Sequence, residues 1–223
     1  MAKRRTREPK AQRQRTAPNR EILGRDHVLI ICEGTKTEPR YFEELREKYQ
    51  LGIVNIEVTS AKGTDPVSVV RTAKSKKTNA EKRGKPFDRV YCVFDRDEHA
   101  NFDDASRRIA ALQKQGFRSA RSWPCFEFWL LLHFGYTRQP FHRDGQRTAA
   151  QNCENTLKSE ISNYRKGKTG IFNELFPRLE EARRNATKAL QDAERTGEHN
   201  PSTEVHELVG YLQNLNEIKS AGI

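Results

Sequence analysis

Asp95 and Asp97 stand two residues apart at the end of an apolar run, Val90-Tyr91-Cys92-Val93-Phe94. On an extended backbone that spacing points both carboxylates to one face and turns Arg96 to the other. Two carboxylates side by side raise each other's pKa unless a cation lies between them. A divalent ion that takes oxygen ligands, Mg²⁺ or Mn²⁺, answers that repulsion and keeps waters that a substrate phosphate can replace. A third acid, Glu33, closes an earlier apolar run, His27-Val28-Leu29-Ile30-Ile31-Cys32, and is followed by Gly34. It can complete a ligand set or act as general base on an attacking water. Glu127 follows Pro124-Cys125 at the mouth of the apolar segment Phe126 to Phe134. A charge is out of place there unless it faces a site. The expected catalytic and metal-binding set is therefore Glu33, Asp95, Asp97 and Glu127.

Both runs are short, rich in β-branched and aromatic residues, and bounded by turn residues, as in strands buried on both faces of a parallel sheet. In open α/β sheets the crevice outside the carboxyl ends of the strands is where ligands bind. The first strand is expected over about 26–33 and is followed by a helix over about 37–50, with Tyr41, Phe42, Leu45 and Tyr49 at helical spacing. Val54-Asn55-Ile56-Glu57-Val58 alternates apolar with polar and reads as a strand near a sheet edge. Asp65-Pro66 opens a helix as N-cap and first helical residue. A basic stretch from Lys74 to Lys85 leads into the strand that ends at Asp95. Asn101 starts a further helix with Ile109 and Leu112 inward and Gly116 at its end, and residues 117–123 form a fourth strand. From about Gly145 only helices are expected. In the last, Pro201-Ser202-Thr203 reads as the start and Val205, Leu208, Val209, Leu212 and Leu215 form one apolar stripe, which the α/β layer should cover. The organisation expected is a basic arm over 1–25, a layered α/β domain over 26–144, and a helical extension over 145–223 packed on it.

The charge is uneven. Of a formal +11 over 223 residues, residues 1–25 carry +7 and almost nothing apolar before Ile22. Such a segment cannot fold alone; Arg4, Arg5, Arg13 and Arg15 in it are candidates for neutralising nucleic-acid phosphates, which gives affinity without sequence information. The alternative is a solvated leader. No apolar run approaches the ~18 residues of a membrane span, and the basic N-terminus lacks the apolar core of a signal peptide. The four cysteines, Cys32, Cys92, Cys125 and Cys153, show no zinc-type spacing. A reduced, cytoplasmic protein without structural zinc is expected.

Three weaker phosphate-binding candidates are Lys36, one turn past Glu33, Lys62 and Arg96. His133 reads as a partly buried helix histidine rather than a base. Asn200 and Thr203 are candidate caps of the last helix.

The stretch Cys32-Glu33-Gly34-Thr35-Lys36-Thr37-Glu38-Pro39-Arg40-Tyr41-Phe42 resembles the opening motif of the RloB-like proteins. Val93-Phe94-Asp95-Arg96-Asp97-Glu98 and Ser122 to Phe134 resemble the second and third motifs of that family, and Asn200-Pro201-Ser202-Thr203 with Val205, Leu208 and Val209 its C-terminal one. Trp123 stands where a small polar residue would be expected. The resemblance implies a Toprim-like fold, in which a Glu on the first strand and an Asp-x-Asp on a later strand hold magnesium. It further implies metal-dependent cleavage of nucleic acid, DNA or RNA, in antiphage defence, and an ATPase partner encoded nearby. Two other readings exist: a non-catalytic nucleic-acid-binding or regulatory subunit, and a haloacid-dehalogenase-like phosphatase. The second is disfavoured because Glu98-His99 follow the Asp-x-Asp and Glu33 is left without a role.

Overall fold

The structure, a computed structural model, describes residues 26–52, 56–63 and 65–221. The arm residues Arg4, Arg5, Arg13 and Arg15, and Val54 and Asn55 of the expected second strand, lie outside the described residues.

Strands β1 (Val28–Cys32), β2 (Ile56–Ser60), β3 (Arg89–Asp95) and β4 (Phe117–Trp123) alternate with helices α1 (Thr37–Lys48), α2 (Pro66–Lys82) and α3 (Phe102–Ala111). The chain continues through α4 (Glu127–Leu131), α5 (Ala149–Glu160), α6 (Ile171–Leu175) and α7 (Leu179–Thr196) to β5 (Ser202–Thr203) and α8 (Val205–Ala221). The strands form one sheet in the order β2-β1-β3-β4-β5. The first four are parallel and β5 is antiparallel to β4. The alternating strand β2 is at the sheet edge, as its pattern predicts. Every residue of β1 is buried, because successive side chains enter opposite layers.

Val28, Ile30, Cys32, Tyr91 and Val93 face a layer built by α1 and α4–α8. Leu29, Ile31, Val90, Cys92 and Phe94 face α2 and α3. In the first layer the Tyr41 ring of α1 meets Phe126 at 5.5 Å and Phe172 of α6 at 5.1 Å between centroids, both edge to face. These contacts bring the Cys125-Phe126-Glu127 turn over the end of the sheet. The apolar stripe of α8 is buried in the same layer, so the sheet and its neighbouring helices cover it.

The local signals place most boundaries. Asp65 caps α2 by accepting from the Val67 and Ser68 amides at 3.0 and 3.1 Å, with Pro66 as the first helical residue. The basic stretch from Lys74 is the continuation of α2 rather than a connector. α3 ends earlier than expected, at Ala111. A 3₁₀ turn, Gln113–Gln115, follows, and Gly116 leaves it at φ +88°, against the Asp88 carbonyl. Ser202 and Thr203 are a strand and not the start of a helix. Their backbone pairs with Ser122 and Trp123, so the C-terminal part is not helices only. Thr203 Oγ1 still accepts from the Val205 amide at 3.2 Å, at the first residue of α8, but Thr203 stands one residue ahead of the N-cap position, which is Glu204. Asn200 does not cap α8; its side-chain amide pairs with the Phe141 backbone. The four cysteines are buried and unbridged.

Candidate functional site

Glu33 and Asp95 follow neighbouring parallel strands, and the pairing of β1 with β3 brings them together at the carboxyl edge. The Glu33 amide donates to the Val93 carbonyl at 2.9 Å. Glu33 Oε2 accepts from the Asp95 amide at 3.1 Å, and His99 Nε2 lies 2.9 Å from Oε1. Both carboxylate oxygens are thus engaged, and the side chain is held in one orientation. Burial pushes its pKa up to about 7; the charges of Glu38, Asp65 and Asp97 act in the same direction and the Asp95 amide against it.

Asp95 is less well satisfied. Its Oδ1 is buried without a hydrogen-bond partner among the described residues. Burial, and then the charges of Glu38, Glu127 and Glu33, raise its pKa well above the ordinary carboxylate range. Glu127 opens α4 at 2% exposure. The Tyr164 hydroxyl donates to its Oε1 at 2.9 Å, and Lys166 Nζ is 3.9 Å away. The Glu127 charge, foremost, raises the Lys166 pKa and keeps that ammonium protonated.

Asp97 departs from the geometry its spacing implies. β3 stops at Asp95, the Arg96 amide continues the pairing to the Ser122 carbonyl at 2.9 Å, and Asp97 turns away at φ +28° with its amide on the Pro124 carbonyl. The extended backbone needed to put Asp95 and Asp97 on one face therefore ends too soon. Asp97 is an exposed rim residue whose foremost charged neighbour is Glu98. That backbone conformation is sparsely populated for a residue with a Cβ and costs on the order of 1–3 kcal/mol.

Four residues that sequence reasoning did not assign complete the cluster. Glu38, from the first turn of α1, is buried and folds back over Gly34, where an added Cβ would lie 2.7 Å from the Glu38 Cδ. Only a glycine admits that contact. Burial and the charge of Glu127 raise the Glu38 pKa. Its signal was present, since it lies in the same motif as Glu33, but an acid in a first helical turn reads as ordinary dipole compensation. Tyr164 and Lys166 come from the loop after α5, and nothing local marks them. His99 had no signal beyond closeness to Asp97.

The phosphate candidates separate. Lys36 is exposed at the N-terminus of α1, and its Cβ abuts Gly167. Lys62 is exposed in the loop after β2, with its amide on Thr72 Oγ1. Arg96 is held elsewhere: its guanidinium lies 5.5 and 5.3 Å from the Phe102 and Trp123 ring centroids, and one nitrogen donates to the His99 carbonyl at 2.6 Å. That is a packing role, away from Asp95. His133 is buried in the turn that follows α4, with Nδ1 3.1 Å from the Trp129 and Leu130 carbonyls. Burial lowers its pKa to about 4, so it is a neutral core histidine.

The family model described as RloB-like protein matches residues 28–212, from the first residue of β1 to the buried Leu212 of α8. The chain belongs to the RloB-like protein family. The match spans both β1–α4 and the later helices, so Glu33, Asp95, Glu127 and the Tyr164–Lys166 loop all fall inside the RloB-like region. No curated protein and no solved structure matches this RloB-like chain. Among the described residues no helix is long and apolar enough to cross a membrane.

Proposed function

We propose that this RloB-like protein is a metal-dependent endonuclease of Toprim type, hydrolysing nucleic-acid phosphodiesters as an effector of antiphage defence. The observation that carries the reading is the buried Asp95 Oδ1, left without a partner among Glu33, Glu38 and Glu127 at the carboxyl edge of a parallel sheet. The donor set is all oxygen, and the lysine beside it, Lys166, contacts Glu127 and Glu154 at 3.9 and 4.0 Å rather than closing on Asp95. Such a set fits Mg²⁺ or Mn²⁺. Asp95, Glu33 and Glu127 would hold it, Glu38 would lie behind them, and Asp97 would contribute from the rim. A divalent cation bound there supplies charge stabilisation for the scissile phosphate and a lowered pKa for its bound water.

The chain's own residues divide the remaining work. The Asp95 amide fixes Glu33 in an orientation suited to taking a proton from water. Tyr164 orients Glu127. Lys166 and Lys36, both exposed at this edge, are positioned to meet phosphate oxygens. The defence role, and an ATPase encoded nearby as partner, rest on the family resemblance alone.

One observation favours a second reading, a non-catalytic nucleic-acid-binding or regulatory subunit. Among the described residues no three His, Cys, Asp or Glu side chains converge as a ready ligand set. A cleavage panel decides between the two: labelled DNA, RNA and transfer RNA, each with Mg²⁺, Mn²⁺ or EDTA, with Asp95→Asn in parallel. Metal-dependent products lost in the variant support the nuclease. Binding with no turnover, also in the presence of the neighbouring ATPase, supports the regulatory subunit.

A further inference from the structure

The charge outside the site is concentrated on one helix. Residues 66–85 hold seven Lys or Arg against Glu81, a net +6. With +7 in residues 1–25 and +11 overall, the rest of the chain sums to −2. Two short segments therefore account for the whole positive charge, and one of them is α2 with the turn that follows it.

α2 buries Val69, Val70 and Ala73 against the sheet and turns Arg71, Lys74, Ser75, Thr78 and Lys82 outward. Those spacings of three and four residues share one face of a helix. Arg83 and Lys85 continue the strip past its end, and both are exposed. Only the flanking lysines are engaged: Lys76 with Glu57 at 2.6 Å, and Lys77 with the Phe87 carbonyl at 2.8 Å and Glu81 at 3.5 Å. Arg71, Lys74, Lys82, Arg83 and Lys85 have no acidic partner among the described residues.

The strip leads to the carboxyl edge. Asp65, the cap of α2, accepts from Asn101 at 2.8 Å, and its charge reaches Glu33. Lys62 lies beside Thr72, next to Arg71. From Arg71 to Arg83 the helix advances about 18 Å, the axial length of roughly five base pairs at 3.4 Å each. We propose that the outer face of α2, with Lys62 at its near end, binds the phosphate backbone of nucleic acid and guides it towards the acidic edge. This deepens the nuclease reading and rests on it for direction, though not for the binding itself. Ser75 and Thr78 add neutral donors of the kind that contact phosphates. The apolar side of α2 is committed to the sheet, which leaves nothing on it to insert into a membrane.

The test uses the full chain in EDTA, so that binding is read without turnover. Fluorescence anisotropy on a labelled 20-base-pair duplex, across a salt series, compares the unaltered protein with Arg71→Gln/Lys74→Gln/Lys82→Gln/Arg83→Gln. The arm is common to both proteins, so the difference isolates α2. At ~0.9 per neutralised phosphate, the slope of log K against log salt should become shallower by about 3, with a loss of affinity of at least tenfold. A slope change below one, with the variant as thermally stable as the parent, overturns the proposal. So does a strip that binds phosphatidylserine vesicles and not the duplex. Lys158→Gln/Lys188→Gln, on the opposite layer, should leave the slope unchanged. Loss of cleavage in Asp95→Asn with its binding slope intact keeps the two proposals separate. An unaltered protein that binds through α2 yet cleaves nothing with Mg²⁺ or Mn²⁺, also in the presence of the neighbouring ATPase, sinks the nuclease reading alone.

Discussion

Two partly exposed carboxylates near the same strands, each set largely among protein atoms, are handled in opposite ways. Glu204, just after β5, lies against Arg121 of β4. The guanidinium donates from Nε to Glu204 Oε1 at 2.8 Å and contacts it again through a terminal nitrogen, while the Arg121 amide donates to Oε2 at 3.1 Å. Burial would raise the Glu204 pKa, but the hydrogen bonds and charge of Arg121 outweigh it and hold the pKa below the usual value. Asp95, at the end of the next strand, has three acids for neighbours and an oxygen with no partner, and its pKa goes up. The fold can therefore supply an internal cation where it needs one. At the carboxyl edge the Lys166 ammonium reaches Glu127 and Glu154 and leaves Asp95 Oδ1 without a partner among the described residues, which is the arrangement expected where further counter-charge comes from outside.

The largest expected effect separates the two acids by activity. Asp95→Asn should lower metal-dependent cleavage by about 10³-fold or more, on the order of 4 kcal/mol of barrier, while the melting temperature stays level or rises because a buried charge is removed. A variant that melts well below the parent would show that Asp95 is structural and would erase the contrast.

Arg121→Ala should do the reverse. Leaving one partner of a buried pair alone costs ~3–5 kcal/mol; with the Arg121 side chain 37% exposed, about 2–3 kcal/mol is expected here. Thermal denaturation should register that loss with cleavage by the folded fraction unchanged. Equal melting temperatures for Arg121→Ala and the parent would contradict the role given to that pair.

Cation addition comes next. At 100 times the dissociation constant, Mg²⁺ or Mn²⁺ should stabilise the unaltered protein by about 2.7 kcal/mol, some 5–10 °C in melting temperature. Asp95→Asn should respond little, whereas Glu204→Gln should respond as the parent does if it folds. A shift that persists in Asp95→Asn would place the cation elsewhere.

The smallest effect is on pH dependence. The folded-state pKa of Glu33 is raised to about 7 and those of Asp95 and Glu38 are raised as well. The folded chain then holds more protons than the unfolded one, so in EDTA stability falls as pH rises from about 4.5 through about 7. His133 and His206 act oppositely: burial lowers both to about 4, and stability falls as pH drops from about 6.5 towards 4. From pH 6.5 to 8 the unfolded-chain histidines are still losing protons and oppose the acids, but they act alike in the parent and in Asp95→Asn. Across that range the parent should lose stability relative to Asp95→Asn by on the order of 1 kcal/mol. Parallel profiles would mean that the acids are better solvated than their surroundings imply.

Legibility followed the range of the interactions. β1, β3, β4, the Asp65-Pro66 start of α2 and the stripe of α8 were readable because alternation, capping and helical spacing act within a few residues. The Ser202-Thr203 pair was misread because Pro-Ser-Thr is a good local helix start, and the backbone of Ser122 and Trp123 overrides it. Asp97 was placed beside Asp95 on the premise that β3 continues, but the strand ends where its backbone turns to reach the Pro124 carbonyl.

The sequence by itself determined that acids close two apolar strands, that the first four strands run parallel in a sheet covered on both faces, and that charge is concentrated in two basic segments. These depend on residue type and short spacing. Only the tertiary structure decided that Glu38 folds over Gly34, that Tyr164 and Lys166 reach Glu127, that Arg121 neutralises Glu204, and that one Asp95 carboxylate oxygen is left without a partner among the described residues. Burial and Coulomb interaction depend on distance in space, and the groups that set them here are separated by up to 83 residues along the chain.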